Sequence, residues 1–133
     1  MKVVIVEDDP TNALLMSKIL TRVGGHDVTV TESVETVQSL LYAGQADLVV
    51  MDVSLVNTQY GGRRINGVEF TRLLRADERS RDVPVLLATA HAMKGDAERL
   101  LRESGADGYI AKPITDFRAF VAQVESCRRG VGA

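Results

Sequence analysis

Six polar side chains stand where short apolar runs end. Glu7, Asp8 and Asp9 follow Val3–Val6, Asp52 follows Leu48–Met51, Thr89 follows Val85–Ala88, and Lys112 follows Tyr109–Ala111. Carboxylates gathered at one place repel one another, so such a cluster must hold a proton, a cation or both. An oxygen-only set without histidine or cysteine suits a hard ion. Mg2+ is the natural candidate, because it takes few carboxylates and keeps water and phosphate oxygens. With its charge neutralised, a carboxylate can attack phosphorus and form an acyl phosphate. That transfer depends on in-line positioning and charge neutralisation rather than on a strong base. Lys112 offers a fixed positive charge for phosphoryl oxygens, and Thr89 a hydroxyl donor. Each residue alone has an ordinary explanation: an acid at a strand end is a cap, Lys-Pro is a turn, threonine is a β-branched filler. Only their joint placement carries the chemistry, so the elements that bring them together decide the reading.

Those elements are legible as periodicity. The four apolar runs are continuous rather than alternating, as expected of strands covered on both faces in a parallel sheet. A weaker, alternating run, Val28–Val30, lies between the first two. Helical spacing fills the gaps over 11–23, 34–43, 67–76, 95–104 and 116–127. Asp9-Pro10 reads as an N-cap with proline in the first turn, and Gly24-Gly25 as the stop. Gly105 ends the fourth helix, and Thr115 is the expected cap of the fifth. His26, in the turn after Gly24-Gly25, is expected to be solvated. The order is β-α repeated five times. It predicts an α/β fold, a doubly wound five-stranded parallel sheet of the flavodoxin-like order 2-1-3-4-5 with helices on both faces. In such a sheet ligands bind beyond the carboxyl ends of the strands, where the six side chains fall.

Bulk properties narrow the function. The 133 residues fit one domain, 1–133, with a flexible tail expected over 128–133. A net charge of −2 gives no basic patch for a polyanion, so direct nucleic-acid binding is not expected. No apolar stretch reaches the roughly 18 residues of a membrane span, and the N-terminal run is too short for a signal peptide. The single cysteine, Cys127, leaves no internal disulfide and points to a reducing cytoplasm. It is read as an apolar position on the last helix.

The strings VVIVEDDP, LVVMD and ATAHAMKGDAERLLRESGADGYIAKPIT, with their spacing, resemble the response-regulator receiver family of two-component signalling over essentially the whole chain. The stretch from Thr89 to Thr115 is most similar to stand-alone, single-domain regulators of the cell-cycle kind, so no output domain is expected. The resemblance implies that Asp52 is the phosphoacceptor and that Glu7, Asp8, Asp52 and the backbone carbonyl of Ser54 surround Mg2+. Asp9 is then a helix cap. It implies that Thr89 shifts toward the phosphoryl group, that Lys112 pairs with that group, that Tyr109 swings inward with Thr89, and that a cis peptide precedes Pro113. Ser54 and His91 match positions beside the path of attacking water, where they would tune dephosphorylation. The implied partners are a histidine kinase or histidine phosphotransfer protein upstream and a protein target downstream. The implied role is regulatory, with self-catalysed phosphorylation and dephosphorylation as its only reactions. Receivers often pair through the fourth and fifth helices, so a homodimer is one expected assembly; the sequence leaves the oligomeric state open.

One segment departs from the family. The loop 53–66, VSLVNTQYGGRRIN, exceeds the roughly 2–6 residues usual between strand and helix. It carries Val56 where the family usually has proline. Gly61-Gly62 is expected to make it flexible, and Arg63-Arg64 makes it basic. It is either a tolerated surface insertion or a segment that covers the site, meets the phosphoryl group through an arginine, or reshapes the kinase-docking surface. Other functions fit less well. A phosphatase of the haloacid dehalogenase type wants an acid two residues after its nucleophile, and Ser54 stands there. An FMN module wants a phosphate-binding loop where Glu7-Asp8-Asp9 stands. A degenerate receiver acting only as a docking platform would lack some of the key side chains.

Overall fold

The central strands alternate their side chains between two cores. In β1 (Lys2–Val6), Val3 and Ile5 pack on one side with Met16, Leu20, Phe120 and Val124, while Val4 and Val6 pack on the other with Val34, Val37, Phe70 and Leu74. Period-two geometry gives this split. Both cores are apolar, so the run had to be continuous rather than alternating. Strands β3 (Leu48–Asp52) and β6 (Val85–Thr89) are buried at every residue. The computed structural model describes residues 1–90 and 93–127. The expectations for His91 and for the tail 128–133 lie outside the described residues.

With β2 (Asp27–Thr31) and β7 (Gly108–Ala111), these strands form a five-stranded parallel sheet of order β2-β1-β3-β6-β7. This is the predicted 2-1-3-4-5 order, because β4 (Gln59–Tyr60) and β5 (Arg63–Arg64) form a separate hairpin. The helices are α1 (Pro10–Lys18), α2 (Val34–Tyr42), α3 (Gly67–Ala76), α4 (Lys94–Ser104) and α5 (Phe117–Ser126). No helix among the described residues is long and apolar enough to cross a membrane.

Local chemistry sets the helix ends. Asp9 caps α1 by accepting from Thr11 N–H at 3.0 Å, with Pro10 in the first turn, as predicted. Gly105 closes α4 at a φ of 80°. The cap of α5 is Asp116 rather than the expected Thr115. Its carboxylate reaches the N–H of Ala119 at 2.9 Å, three residues into the helix, where a cap oxygen does most good. The predicted helix 11–23 is α-helical only to Lys18, and Ile19–Val23 widen into a π turn. Beyond it the structure corrects the reading of His26. The side chain is 10% exposed, and Nε2 lies 2.7 Å from Oε2 of Glu125 on α5. Gly24 makes the room: a Cβ there would meet the His26 ring at 2.7 Å.

The long loop also differs from expectation. Gln59–Tyr60 (β4) pairs antiparallel with Arg63–Arg64 (β5). Gly61 and Gly62 have φ of 61° and 81°. A two-residue turn with both central residues in the left-handed region is the twist-matched hairpin turn, so the glycines permit a fixed shape rather than supplying flexibility. Leu55, Thr58 and Ile65 are buried beneath the hairpin. Thr58 donates its hydroxyl to the Glu32 carbonyl at 2.9 Å, and Ile65 N–H donates to the Thr58 carbonyl at 2.9 Å.

Candidate functional site

Asp52 is placed by the central strand of the sheet. β3 lies between β1 and β6, with Asp52 in register with Ala88, and Val53 N–H continues the ladder to the Ala88 carbonyl at 3.0 Å. The side chain, 3% exposed, therefore emerges at the carboxyl edge with little freedom. Its Oδ1 accepts from Ser54 N–H at 3.0 Å and from Lys112 Nζ at 2.8 Å. Lys112 arrives from the next strand but one. Its own N–H donates to the Thr89 carbonyl at 2.8 Å, and the Lys112–Pro113 peptide is cis, as expected.

Glu7, 4% exposed at the end of β1, faces the same group. Its Oε2 accepts from Asp9 N–H at 3.3 Å. Its Oε1 is buried with no hydrogen-bond partner among the described residues, and Lys112 Nζ lies 3.5 Å away. A buried oxygen in that position costs roughly 1–3 kcal/mol unless it takes up a proton or a cation. One carboxylate oxygen each from Glu7, Asp8 and Asp52 lie within 4.8 Å of one another. Three hard oxygen donors, one of them orphaned and none backed by nitrogen or sulfur, fit a small divalent ion such as Mg2+.

The electrostatics follow from this crowding. Burial, reinforced by the neighbouring Asp52 carboxylate, raises Glu7 to about 7. Burial would raise Asp52 as well, but the neighbouring Glu7 carboxyl and the hydrogen bonds from Lys112 and the Ser54 N–H outweigh it and hold Asp52 below its usual value. Burial would depress the Lys112 ammonium, yet Asp52 and Glu7 keep it above its ordinary range. Of these three groups Asp52 is held as an anion and Lys112 as a cation, while Glu7 takes its charge only near neutrality.

The remaining predicted residues are close by in the fold. Thr89 is fully buried at the end of β6, one residue past the register partner of Asp52. Tyr109 is half-buried on β7, in register with Leu87, and lines an open groove of about 570 Å³ with Leu101, Pro113, Phe120 and Gln123. Ser54 is exposed and touches Asp52 through its N–H. Arg63, one of the two loop arginines, is paired with Glu69 at 2.9 Å.

Two contributions escaped the sequence reading. A Cβ on Gly67 would stand 2.1 Å from the Asp52 carbonyl oxygen, so the start of α3 packs directly against the Asp52 backbone. The available signal was a glycine at a first helical position, where most residues serve better. The second is a pair of backbone donors. Val56 and Asn57 N–H reach Oδ2 of Asp8 at 2.8 and 3.1 Å. Almost any residue carries an N–H, so composition could not reveal them.

Comparison with known proteins agrees with this fold. Residues 3–125 match the family model of the response regulator receiver domain. The chain is 36% identical over 124 residues to the polar-differentiation response regulator DivK of Brucella ovis, spanning 93% of each chain. It is 34% identical to the DivK protein of Brucella anthropi over the same share. Among solved structures it resembles the receiver domain of a sensor histidine kinase from Pseudomonas aeruginosa PAO1, which has a magnesium ion coordinated in the active-site cleft. There the TM-score is 0.71 and the identity 28%, over 92% of this chain and 95% of that one. It also resembles the N-terminal domain of a response regulator receiver protein from Methanoculleus marisnigri, with a TM-score of 0.68 and 25% identity over 94% of each. The chain therefore belongs to the response regulator receiver domain family, the phosphoacceptor switches of two-component signalling.

Proposed function

We propose that Asp52 accepts a phosphoryl group from a histidine kinase or a histidine phosphotransfer protein, and that the chain 1–133 works as one cytoplasmic receiver unit. The observation that carries this reading is the grouping of Asp52, 2% exposed and bonded to Lys112 Nζ at 2.8 Å, with the carboxylates of Glu7 and Asp8. Asp8, Glu7, Asp52 and the Ser54 carbonyl would hold Mg2+, whose charge offsets that of the carboxylates and phosphoryl oxygens when bound. A magnesium ion in the cleft of the Pseudomonas relative supports this choice.

Asp52 enters the reaction already ionised. A carboxylate oxygen forms the new P–O bond as the donor's N–P bond breaks, and the electron pair of that bond returns to the imidazole. Hydrolysis later restores Asp52 and releases inorganic phosphate. Lys112 keeps its charge throughout, exchanging its partner Asp52 for a phosphoryl oxygen, and the Thr89 hydroxyl donates to another. Tyr109 follows Thr89, which changes the wall of the groove beside α4 and α5 and so the surface offered to a downstream protein, or to a second copy of the chain. Ser54 and His91 set how readily water reaches the phosphoryl group; His91→Ala should change the lifetime of the phosphorylated form.

The test is incubation with acetyl phosphate or beryllofluoride, with and without Mg2+, for the wild type and Asp52→Asn. The expected outcome is a Mg2+-dependent adduct on the wild type alone, seen as an 80 Da gain with acetyl phosphate. Equal labelling of both proteins would sink the proposal.

A further inference from the structure

We infer that Val56 and Asn57 are positioning residues for the metal site, acting through their backbone N–H groups, and that the inserted hairpin is the brace that holds them. The inference rests on the metal-dependent reading of Asp52, Glu7 and Asp8 above.

Asp8 is only half-buried, so its carboxylate is free to turn unless something holds it. Two N–H groups converge on one of its oxygens, Oδ2, at 2.8 and 3.1 Å. That restrains the carboxylate and leaves Oδ1, which takes neither bond, for an ion. Groups that orient a ligand from behind in this way commonly govern metal affinity. The donors come from 48 and 49 residues away, so tertiary structure alone places them.

The side chains of Val56 and Asn57 do not explain the arrangement. Both residues are exposed, Val56 at 60%. The segment is held from either side instead. Leu55 is buried before it. After it, Thr58 is tied to the Glu32 carbonyl and closed against Ile65 by the hairpin. Arg63 of the hairpin pairs with Glu69, the residue that completes the capping box of α3. Gly67, at the start of α3, rests on the Asp52 backbone. The insertion therefore joins Asp8 and Asp52 through one continuous set of contacts. Proline at position 56 would have no N–H to give.

The test is a Mg2+ titration of the full chain followed by amide NMR, in the wild type, Val56→Ala, Val56→Pro, and a semisynthetic chain in which an ester replaces the Val56 amide. The ester removes the N–H and leaves the side chain, so it isolates the donor even if proline disturbs the loop. Val56→Ala should bind Mg2+ as the wild type does. Val56→Pro and the ester should bind about tenfold more weakly, and Thr58→Val, which cuts the tie to Glu32, should weaken binding in the same direction. In the wild type the Val56 and Asn57 amides should keep their hydrogen-bonded shifts at saturation. Ester and wild type binding equally tightly would overturn the inference, as would a loss in Val56→Ala as large as in the ester. A wild type that binds no Mg2+ would instead overturn the metal-dependent reading beneath it.

Discussion

Glu7 and Cys127 are both acids made weaker by burial, and each gives a pH-dependent expectation. For Glu7 the value rises from 4.5 to about 7. A group whose folded value is raised adds stability below its unfolded value, and that stability is lost as the pH climbs through the folded one. In EDTA the Tm should therefore fall as the pH is raised from about 4.5 through about 7. Glu7→Gln should flatten that profile; an unchanged slope would mean that other groups set it. Cys127 ends α5 half-buried against the α1/α5 core, and burial pushes its thiol up to about 11. Alkylation by iodoacetamide at mildly alkaline pH should thus be much slower in the native chain than in urea, because the thiolate is the reactive form.

At the scale of elements, close packing around Asp52 sets what the chain tolerates. Gly67→Ala would drive a methyl group to 2.1 Å from the Asp52 carbonyl oxygen. Backbone cannot yield as a flexible side chain can, so α3 must shift. We expect a loss of about 1–3 kcal/mol in urea unfolding, with a change in the Asp52 amide resonance that a distant destabilising variant would not produce. Phe120 provides the contrast. It is wholly buried between α5 and the sheet. Phe120→Ala should cost about 3–5 kcal/mol yet leave the carboxylate cluster unmoved in the molecules that remain folded.

At the scale of the whole molecule, one side chain braces the end of the sheet opposite the carboxylate cluster. At the end opposite Asp52, Arg75 donates to the carbonyls of Gly105 at 2.9 Å, Val83 at 2.7 Å and Arg81 at 3.0 Å, and pairs with Asp107 at 2.9 Å. Asp107 in turn accepts from Val85 N–H at 2.9 Å. One side chain thereby ties α3, the approach to β6 and the turn before β7. Arg75→Ala removes the cation that faces the largely buried Asp107 carboxylate and the donor shared by three carbonyls, so it should cost about 3–5 kcal/mol. Mg2+ affinity, measured below the unfolding transition, should not change. A parallel loss of affinity would show that the two ends are coupled.

The sequence by itself determined the five strands of the parallel sheet, the helical spans to within a residue or two, their order, and the edge at which Glu7, Asp8, Asp52, Thr89 and Lys112 collect. Those features depend on periodicity and on the rule that parallel strands present their carboxyl ends together, and both are written along the chain. The first helical span ends at Val23 as the spacing predicts, but its change to a π turn after Lys18 leaves no mark because a π turn keeps near-helical spacing while changing its hydrogen bonds, and the cap of α5 falls on Asp116 because Thr115 and Asp116 both have cap chemistry and differ in reach. Tertiary structure alone decided the partners of His26, the seat of Gly67 on Asp52, the ordered hairpin in place of a flexible loop, and the two N–H groups on Asp8. Each of these is a distance between segments remote in sequence, or a backbone group that nearly every residue carries, and neither leaves a mark in the order of side chains.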